Sequence, residues 1–300
     1  MNTKPWIQAA RLRTLPLSVS GIIVGSAYAY YQGFSDWRIV ILALLTTLGL
    51  QVLSNYANDY GDGVKGTDAN RIGEKRLVAA GIITAEQMKK AVIIAAILTF
   101  IIALLLIYVA FGKENFALSL IFILLGIGSI GAAIKYTVGK SAYGYSGFGD
   151  VFVFIFFGLV SVVGSNFLFT HFIDWKLFLP ATAIGLLSVA VLNLNNMRDI
   201  ENDKIAGKNT LVVKMGLKWA KYYHQIIIVL GMICFMIFAI LIETSTLPIL
   251  IINIPIILHM NKVDKSQNYE DFDPELKKVA LSTFALSILF WLFLCIIPDF

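Results

Sequence analysis

The chain has 300 residues, of which 58% are hydrophobic and 14% are charged, and its formal net charge is +5. Soluble domains are about 45–50% apolar and about 25% charged, so this composition excludes an ordinary soluble domain and requires lipid around the chain. Cys234 and Cys295 both lie within apolar runs, which excludes a disulfide framework and a cysteine-based metal site. The first residues lack the basic-then-apolar layout of a signal peptide, so we expect the first apolar run to be retained.

Nine apolar runs approach the length of about 20 residues that a membrane-spanning helix needs. The predicted spans cover residues 15–31, 37–57, 89–111, 115–137, 148–169, 176–197, 222–243, 246–262 and 279–297. The first run is short and contains Pro16, and the eighth is interrupted by Pro255. These runs predict an all-α, multi-pass bundle of nine transmembrane helices that forms a single integral membrane domain over residues 1–300.

Basic residues are unevenly distributed between the two sides of this predicted bundle. Of the 24 Lys and Arg residues, 21 fall on the side of the N-terminus, and only Arg38, Lys113 and Lys176 fall on the other. Cytoplasmic loops carry the excess of basic residues, so the distribution predicts a cytoplasmic N-terminus. The long polar loops 58–88 and 198–221 lie on that side, and such loops are uncommon unless they are functional or disordered.

Two clusters of Asn and Asp residues stand where the second and sixth predicted spans end. The clusters consist of Asn55, Asp59 and Asp62, and of Asn195, Asp199 and Asp203. Residues three or four apart lie on one face of a helix, so each helix end is predicted to present an amide and two carboxylates in one direction. One such cluster could be an ordinary helix end that meets water. Two matching clusters on the same side of a chain with few charges favour a shared site.

The oxygen atoms of these clusters are of the kind that Mg²⁺ prefers. Mg²⁺ is usually held by one or two carboxylates, several waters and the phosphate oxygens of a substrate. Carboxylates alone would repel a diphosphate, so a metal must bridge the two. Basic residues follow both clusters, namely Lys65, Arg71, Lys75, Arg76, Arg198, Lys204 and Lys208. The residues therefore predict an enzyme that handles a Mg²⁺-bound diphosphate, although the excess of cytoplasmic basic residues alone would explain some of these.

The sequence around both clusters resembles the UbiA superfamily of intramembrane prenyltransferases. Within that superfamily it is most similar to the menaquinone-pathway branch, the 1,4-dihydroxy-2-naphthoate prenyltransferases. The resemblance rests on the runs 58–68 and 195–203, with support from segments 11–18 and 143–150.

The chain departs from the wider superfamily at two places. An acid often stands at position 63, where this chain has Gly63, and the shift of that acid to Asp62 is shared with the narrower branch. The shift leaves open whether Asp62 or Asp68 completes the first metal site. Asn166 and Phe167 stand where the family leads us to expect paired tyrosines.

The resemblance implies the transfer of a polyprenyl group from polyprenyl diphosphate to 1,4-dihydroxy-2-naphthoate, with loss of CO₂ and diphosphate, to give demethylmenaquinone. It implies that the catalytic residues are the carboxylates that hold Mg²⁺, namely Asp59, Asp62, Asp199 and Asp203, with Asn55 and Asn195 as further metal ligands. The residues expected to contact the diphosphate are Asn55, Lys65, Arg71, Lys140, Asn195, Arg198 and Lys204. The residues expected to contact the acceptor are Arg11, Arg13, Lys135, Tyr136 and Tyr143.

Two alternatives stay open on the residues alone. A UbiA-type enzyme could use another acceptor, such as 4-hydroxybenzoate, haem or a glycerol phosphate lipid. A secondary transporter also contains intramembrane acids and internal repeats, but its acids should lie near the bilayer midplane, whereas these stand at helix ends. We expect membrane lipid and no nucleic acid as a partner, and a bacterial cytoplasmic (inner) membrane as the location. The prenyl length, the general base and the oligomeric state do not follow from the sequence.

Overall fold

The computed structural model describes residues 3–67, 76–139 and 141–296. All regular structure within these ranges is helical, as the composition predicts. Arg71 and Lys140, both expected to contact the diphosphate, lie outside the described residues, and so does Asp68.

The described ranges contain one short N-terminal helix, eleven further α-helices and a π-helical segment. The helices before the loop at residues 136–148 are α1 (Lys4–Ala10), α2 (Leu15–Tyr31), α3 (Trp37–Lys65), α4 (Ala85–Phe111) and α5 (Phe116–Lys135). A composite span follows, made of α6 (Gly149–Val153), the π-helical segment (Phe154–Gly164) and α7 (Ser165–Thr170). The remaining helices are α8 (Phe178–Arg198), α9 (Ile200–Ile205), α10 (Leu211–Leu241), α11 (Leu247–Lys265) and α12 (Phe272–Ile296).

Eight helical stretches in the described part of the chain are long and apolar enough to cross a membrane. The first predicted span corresponds to α2, which has 17 residues. Pro255, which interrupts the eighth apolar run, lies inside the continuous helix α11. The structure thus confirms an all-helical membrane protein with eight spans of sufficient length.

The helix α8 lies at the centre of the bundle, where it packs against α10, α12 and the π-helical segment. Two thirds of its apolar stretch (67%) is buried, against 6% for α5, which packs mainly on α3 and α4. Gly21 and Gly25 let α2 approach the π-helical span closely, because a Cβ at either position would overlap Ser161 or Ser165. This close approach brings α2, α3 and α8 around one interior space.

The two acidic clusters lie at the same end of the bundle. The helix α3 continues eight residues beyond the predicted end of the second span and stops at Lys65, where Gly66 adopts a positive φ of 70°. The helix α8 ends at Arg198, and the short helix α9 carries the chain on from Asp199. The first cluster is therefore part of a regular helix, and its faces decide which side chains reach the interior.

Candidate active site

A cavity of about 420 Å³ lies between α2, α3, α5, the π-helical segment and α8. Along α3 its lining extends from Ala43 to Asp62, which at 1.5 Å per residue is a length of about 28 Å. That length is close to the roughly 30 Å thickness of a bilayer hydrocarbon core. One end is lined by acidic, amide and basic side chains, and the other by Ala43, Ile107, Phe122 and Leu168. The cavity thus has the polarity of a lipid with a charged head.

Asp62 of the first cluster and the nearby Asn58 line the polar end of this cavity. Asp62 is 2% exposed, and one of its oxygens accepts a hydrogen bond of 2.5 Å from the hydroxyl of Tyr145. The guanidinium of Arg76 lies 3.3 Å and the ammonium of Lys208 lies 3.2 Å from the same carboxylate. Asp62 is therefore a buried anion surrounded by donors from three separate segments.

Asp59, predicted to be a metal ligand, is placed differently. Its two oxygens accept the backbone N–H groups of Leu77 and Val78, each at 3.0 Å, and it is not among the residues that line the cavity. On a helix of 3.6 residues per turn, Asn58 and Asp62 lie to one side of Asn55, and Asp59 lies to the other. Asp59 thus faces the loop that follows α3 and anchors it.

Asn55 does line the cavity, but its amide is committed to the protein. Its Nδ2 donates to the carbonyl of Ala10 at 2.8 Å and to Thr14 at 3.2 Å, and its Oδ1 accepts from Gln51 at 3.4 Å. These contacts join α3 to the segment between α1 and α2.

The second cluster presents Asp199 and Asp203 to the same end of the cavity. Arg198 is 1% exposed, and its Nε and Nη2 donate to the two oxygens of Asp199, each at 2.8 Å. Its Nη2 also donates to Oδ1 of Asn195 at 2.8 Å, and its Nη1 donates to Asp273 at 2.5 Å. Arg198 is not among the cavity-lining residues, so it orients Asp199 and Asn195 from the side away from the cavity.

Asp273, at the start of α12, connects this cluster to the N-terminal segment. One of its oxygens accepts from Arg198, and the other accepts from Nη1 of Arg13 at 3.2 Å. Arg11 and Arg13, both predicted to contact the acceptor, line the cavity beside it. A single carboxylate therefore joins two arginines from different parts of the chain.

Three of the predicted lysines do not reach the cavity lining, which corrects their expected placement. Lys65 donates to the carbonyl of Thr137 at 2.8 Å, and Lys204 donates to Glu201 at 2.9 Å on the surface. The Lys204 hydrogen bond lowers the pKa of the Glu201 carboxyl, as expected for a surface ion pair. Lys135 is exposed and also lies outside the lining.

Tyr136 and Tyr143, the two predicted aromatic contacts, both line the cavity. Their rings meet edge to face with centroids 5.3 Å apart, and Tyr143 stacks on Phe152 at 3.9 Å. Burial raises the pKa of the Tyr143 phenol, whose hydroxyl donates to the carbonyl of Ala132 at 2.9 Å. These rings form an apolar, electron-rich wall next to the acids.

The donors at the polar end fit Mg²⁺. Asp62, Asp199 and Asp203 supply carboxylates, and Asn58 and Asn195 supply amide oxygens, all of them hard ligands. In the described part of the chain, no three His, Cys, Asp or Glu residues are grouped closely enough to hold a metal by themselves. Such a set suits an ion that takes its other ligands from water and substrate phosphate.

The chain matches the UbiA prenyltransferase family over residues 18–273. It belongs to that family. Its relatives include the 1,4-dihydroxy-2-naphthoate octaprenyltransferase of Escherichia coli (strain K12), which is 48% identical over 79% of this chain and 77% of the relative. The protein of the same name from Haemophilus influenzae is 42% identical over 98% of this chain and 96% of the relative.

Solved structures of the family share the fold. An apo UbiA homolog from Aeropyrum pernix K1 aligns with a TM-score of 0.71 at 16% identity, over 93% of this chain and 98% of that one. A UbiA homolog from Archaeoglobus fulgidus bound to GPP and Mg²⁺ aligns with a TM-score of 0.65 at 13% identity, over 95% of this chain and 98% of that one.

Several cavity residues were not predicted as site residues from the sequence. They are Asn58, Tyr145, Asn196 and Asn202. Arg76 and Lys208 also line the cavity, and the sequence named them only among the basic residues that follow the clusters. Asn58 carried a usable signal, because it stands four residues before Asp62 just as Asn55 stands before Asp59. No local sequence pattern marked Asp273 as a site residue, because its partner Arg198 is 75 residues away in the sequence.

Proposed function

We propose that this protein transfers a polyprenyl group from a polyprenyl diphosphate to 1,4-dihydroxy-2-naphthoate, releasing CO₂ and diphosphate, in menaquinone biosynthesis. The observation that carries the proposal is 42% identity to the Haemophilus influenzae octaprenyltransferase over 98% of this chain. A cavity with an acidic end and an apolar remainder suits a donor with a diphosphate head and a prenyl tail.

Within this proposal, Asp62, Asp199 and Asp203 hold Mg²⁺, with Asn58 and Asn195 as neighbouring oxygen donors. The Archaeoglobus homolog with GPP and Mg²⁺ bound supports a metal in this fold. When bound, Mg²⁺ would draw negative charge from the diphosphate as the allylic C–O bond breaks. Asp59 holds the loop after α3 instead of the metal, because it does not line the cavity and both of its oxygens accept backbone N–H groups.

The other cavity residues have distinct parts in the same step. Arg76 and Lys208 lie beside the acids, where cations stabilise a departing diphosphate most strongly once water is excluded. The faces of Tyr136, Tyr143 and Phe152 can stabilise an allylic cation by about 0.5–2 kcal/mol.

The acceptor approaches this cation from the side of Arg11 and Arg13, whose guanidinium groups suit its carboxylate. The allylic carbon bonds to the ring carbon that carries the carboxylate, and the electrons of the broken C–CO₂ bond return to the ring. Because CO₂ leaves from that carbon, no base has to remove a ring proton there. The described cavity lining accordingly needs no histidine, and it contains none.

We also propose nine spans in one domain, with α2 as the first span and the N-terminus in the cytoplasm. The apolar sequence of α2 and the excess of basic residues on the side of the acidic clusters support this arrangement. The active site would then open at the cytoplasmic face of a bacterial inner membrane, where a soluble naphthoate can reach it.

The test is an assay of purified protein in lipid nanodiscs with Mg²⁺, octaprenyl diphosphate and either 1,4-dihydroxy-2-naphthoate or 4-hydroxybenzoate. We expect a prenylated naphthoquinol and released CO₂, both abolished by EDTA and restored by added Mg²⁺. Product with 4-hydroxybenzoate alone would overturn the acceptor, and no product with either would overturn the enzyme.

A further inference from the structure

The ammonium of Lys208 lies between the two acidic clusters. Its Nζ is 3.2 Å from Asp62, on α3, and 3.9 Å from Asp203, on α9. The backbone N–H of Lys208 donates to the carbonyl of Asp203 at 2.8 Å, which fixes the start of the side chain close to the second cluster. One lysine thus joins carboxylates that belong to separate helices.

The ammonium of Lys208 lies where two buried carboxylates would otherwise repel each other. Asp62 and Asp203 are 2% and 5% exposed, and two buried anions facing one cavity repel each other strongly because little water screens them. The Lys208 side chain is itself only 11% exposed, so its charge acts at close range. Arg76 already pairs with Asp62, and the ammonium of Lys208 adds a cation that contacts both Asp62 and Asp203, so it offsets the repulsion between α3 and α9.

Lys65 lies near the same tyrosine as Lys208 but does not connect the two acidic clusters. The Nζ atoms of both lysines lie over the ring of Tyr145, Lys65 at 3.9 Å and Lys208 at 4.9 Å from its centroid. Lys65, however, donates to the carbonyl of Thr137, and its side chain does not line the cavity. The two lysines therefore form a matched pair with the same charge and the same aromatic neighbour, and only one of them bridges the clusters.

We propose that Lys208 is a built-in counter-ion that holds the two acidic clusters together before substrate arrives and then moves its charge to the diphosphate. A divalent cation has to displace the ammonium to reach Asp62 and Asp203, so Lys208 competes with the bare metal. A metal-bound diphosphate brings its own anionic oxygens, which give the displaced ammonium a new partner. Lys208 therefore weakens binding of the metal alone and strengthens binding of the metal together with diphosphate, so that the site loads both at once.

This inference rests on the proposed function only in assuming a metal-bound diphosphate, and it requires nothing of the acceptor. The experiment measures two equilibria on the full-length protein in nanodiscs at pH 8. Mn²⁺ binding is followed by electron paramagnetic resonance of free Mn²⁺, and binding of inorganic diphosphate in saturating Mg²⁺ is followed by calorimetry. Both are compared in the wild type and in the Lys208→Gln, Lys208→Arg and Lys65→Gln variants.

We expect Lys208→Gln to bind Mn²⁺ on the order of tenfold more tightly and Mg²⁺-diphosphate on the order of tenfold more weakly, as suits the loss of one charge near the site. Lys65→Gln should change both constants less, because its ammonium contacts no carboxylate of either cluster. Lys208→Arg should bind Mn²⁺ more weakly than the wild type, since a guanidinium holds carboxylates through two parallel bonds.

The opposite signs separate this role from a purely structural one, which would weaken both equilibria together. Unchanged or weaker Mn²⁺ binding in Lys208→Gln would overturn the proposal. If that variant does not fold, Lys208→Arg decides, and Mn²⁺ binding at or above the wild-type affinity would then overturn it. Failure of the prenyl-transfer assay with intact Mn²⁺ binding would instead point to an error in the proposed function.

Discussion

Two buried clusters of ionisable residues lie at the same end of the bundle, and only one of them faces a cavity. The cavity cluster contains Asp62, Asp199 and Asp203. The second, which we call the histidine cluster, consists of His224, His259 and Glu275 from α10, α11 and α12. A hydrogen bond of 2.8 Å joins Nε2 of the two histidines, and another of 2.8 Å joins His259 Nδ1 to Glu275.

The two clusters differ in whether a ligand can reach their polar groups. In the histidine cluster the second oxygen of Glu275 accepts from Lys278 at 2.6 Å, and none of its members lines the cavity. Nδ1 of His224 has no hydrogen-bond partner among the described residues, and the other polar atoms of the cluster hydrogen-bond to one another or to Lys278 and so join three helices. In the cavity cluster, carboxylates from two helices face a space that a ligand can enter. Burial of charge therefore indicates a binding site only together with access.

The largest effect on activity is expected when a carboxylate of the cavity cluster is replaced. We expect Asp62→Asn and Asp199→Asn to lower kcat for prenyl transfer by at least about a hundredfold, because each removes a charge from the metal site. The assay uses saturating Mg²⁺ and both substrates in nanodiscs. Thermal unfolding must show that each variant is still folded, although each removes the buried ion-pair partner of Arg76 or Arg198 and should lower the unfolding temperature. A variant that keeps more than a tenth of the wild-type kcat would remove that acid from the proposed site.

The opposite result is expected in the histidine cluster. Glu275→Gln replaces one of the two carboxylate oxygens that contact His259 and the half-exposed Lys278 with an amide nitrogen, which should lower the free energy of unfolding by about 2 kcal/mol. The kcat of the folded enzyme should stay close to that of the wild type, because Glu275 does not line the cavity. Unfolding by SDS titration with parallel activity measurements checks both statements. A large loss of kcat without loss of stability would show that the histidine cluster belongs to the active site.

Asp59 belongs to the first acidic cluster, but its contacts are structural, like those of the histidine cluster, because both of its oxygens accept backbone N–H groups. Asp59→Asn keeps one acceptor oxygen and replaces the other with a donor opposite an N–H group, which should cost about 2 kcal/mol of stability. Its Mn²⁺ affinity should match that of the wild type, whereas Asp62→Asn should lose Mn²⁺ binding. Equal losses of Mn²⁺ binding in the two variants would return Asp59 to the metal site.

The case of Asp59 shows how far sequence reasoning reaches in this molecule. Apolar runs and acidic clusters are local patterns, so the helical membrane fold and the joint placement of Asp62, Asp199 and Asp203 could be predicted. The helix α3 carries two overlapping Asn–Asp pairs with the same spacing, Asn55 with Asp59 and Asn58 with Asp62. Residues 77 and 78 pack against the face of α3 that carries Asp59, and this packing determines that Asp62, not Asp59, faces the cavity. That packing is a tertiary contact with no local signature.

Asp273 also joins distant segments of the chain, since it accepts hydrogen bonds from Arg198 and Arg13. Asp273→Asn leaves the charge of Arg198 to Asp199 alone and loosens Arg13, so we expect about a tenfold loss of kcat/KM for the acceptor, as is common for groups that orient metal ligands. Asp273→Glu should recover part of the loss, and Arg13→Gln should raise KM with little change in kcat. Loss of stability in Asp273→Asn with unchanged kinetic constants would make Asp273 a structural residue only.

The smallest effect is expected at the apolar end of the cavity, farthest from the acids. Phe122 lines that end and packs against Phe111 and Phe167, with centroids 5.0 and 5.7 Å away, so these rings close the space beyond it. Phe122→Ala removes the ring that a long prenyl tail would meet. Each additional buried CH₂ contributes about 0.8 kcal/mol, so kcat/KM for a longer donor relative to a shorter one should rise about threefold or more. Competition between two polyprenyl diphosphates, with products separated by mass, measures the ratio.

Phe116→Ala is the matched control, because Phe116 is 75% exposed on the same helix. If Phe122→Ala leaves the ratio unchanged, the tail leaves the cavity before it reaches this end, and the length preference is set nearer the acids.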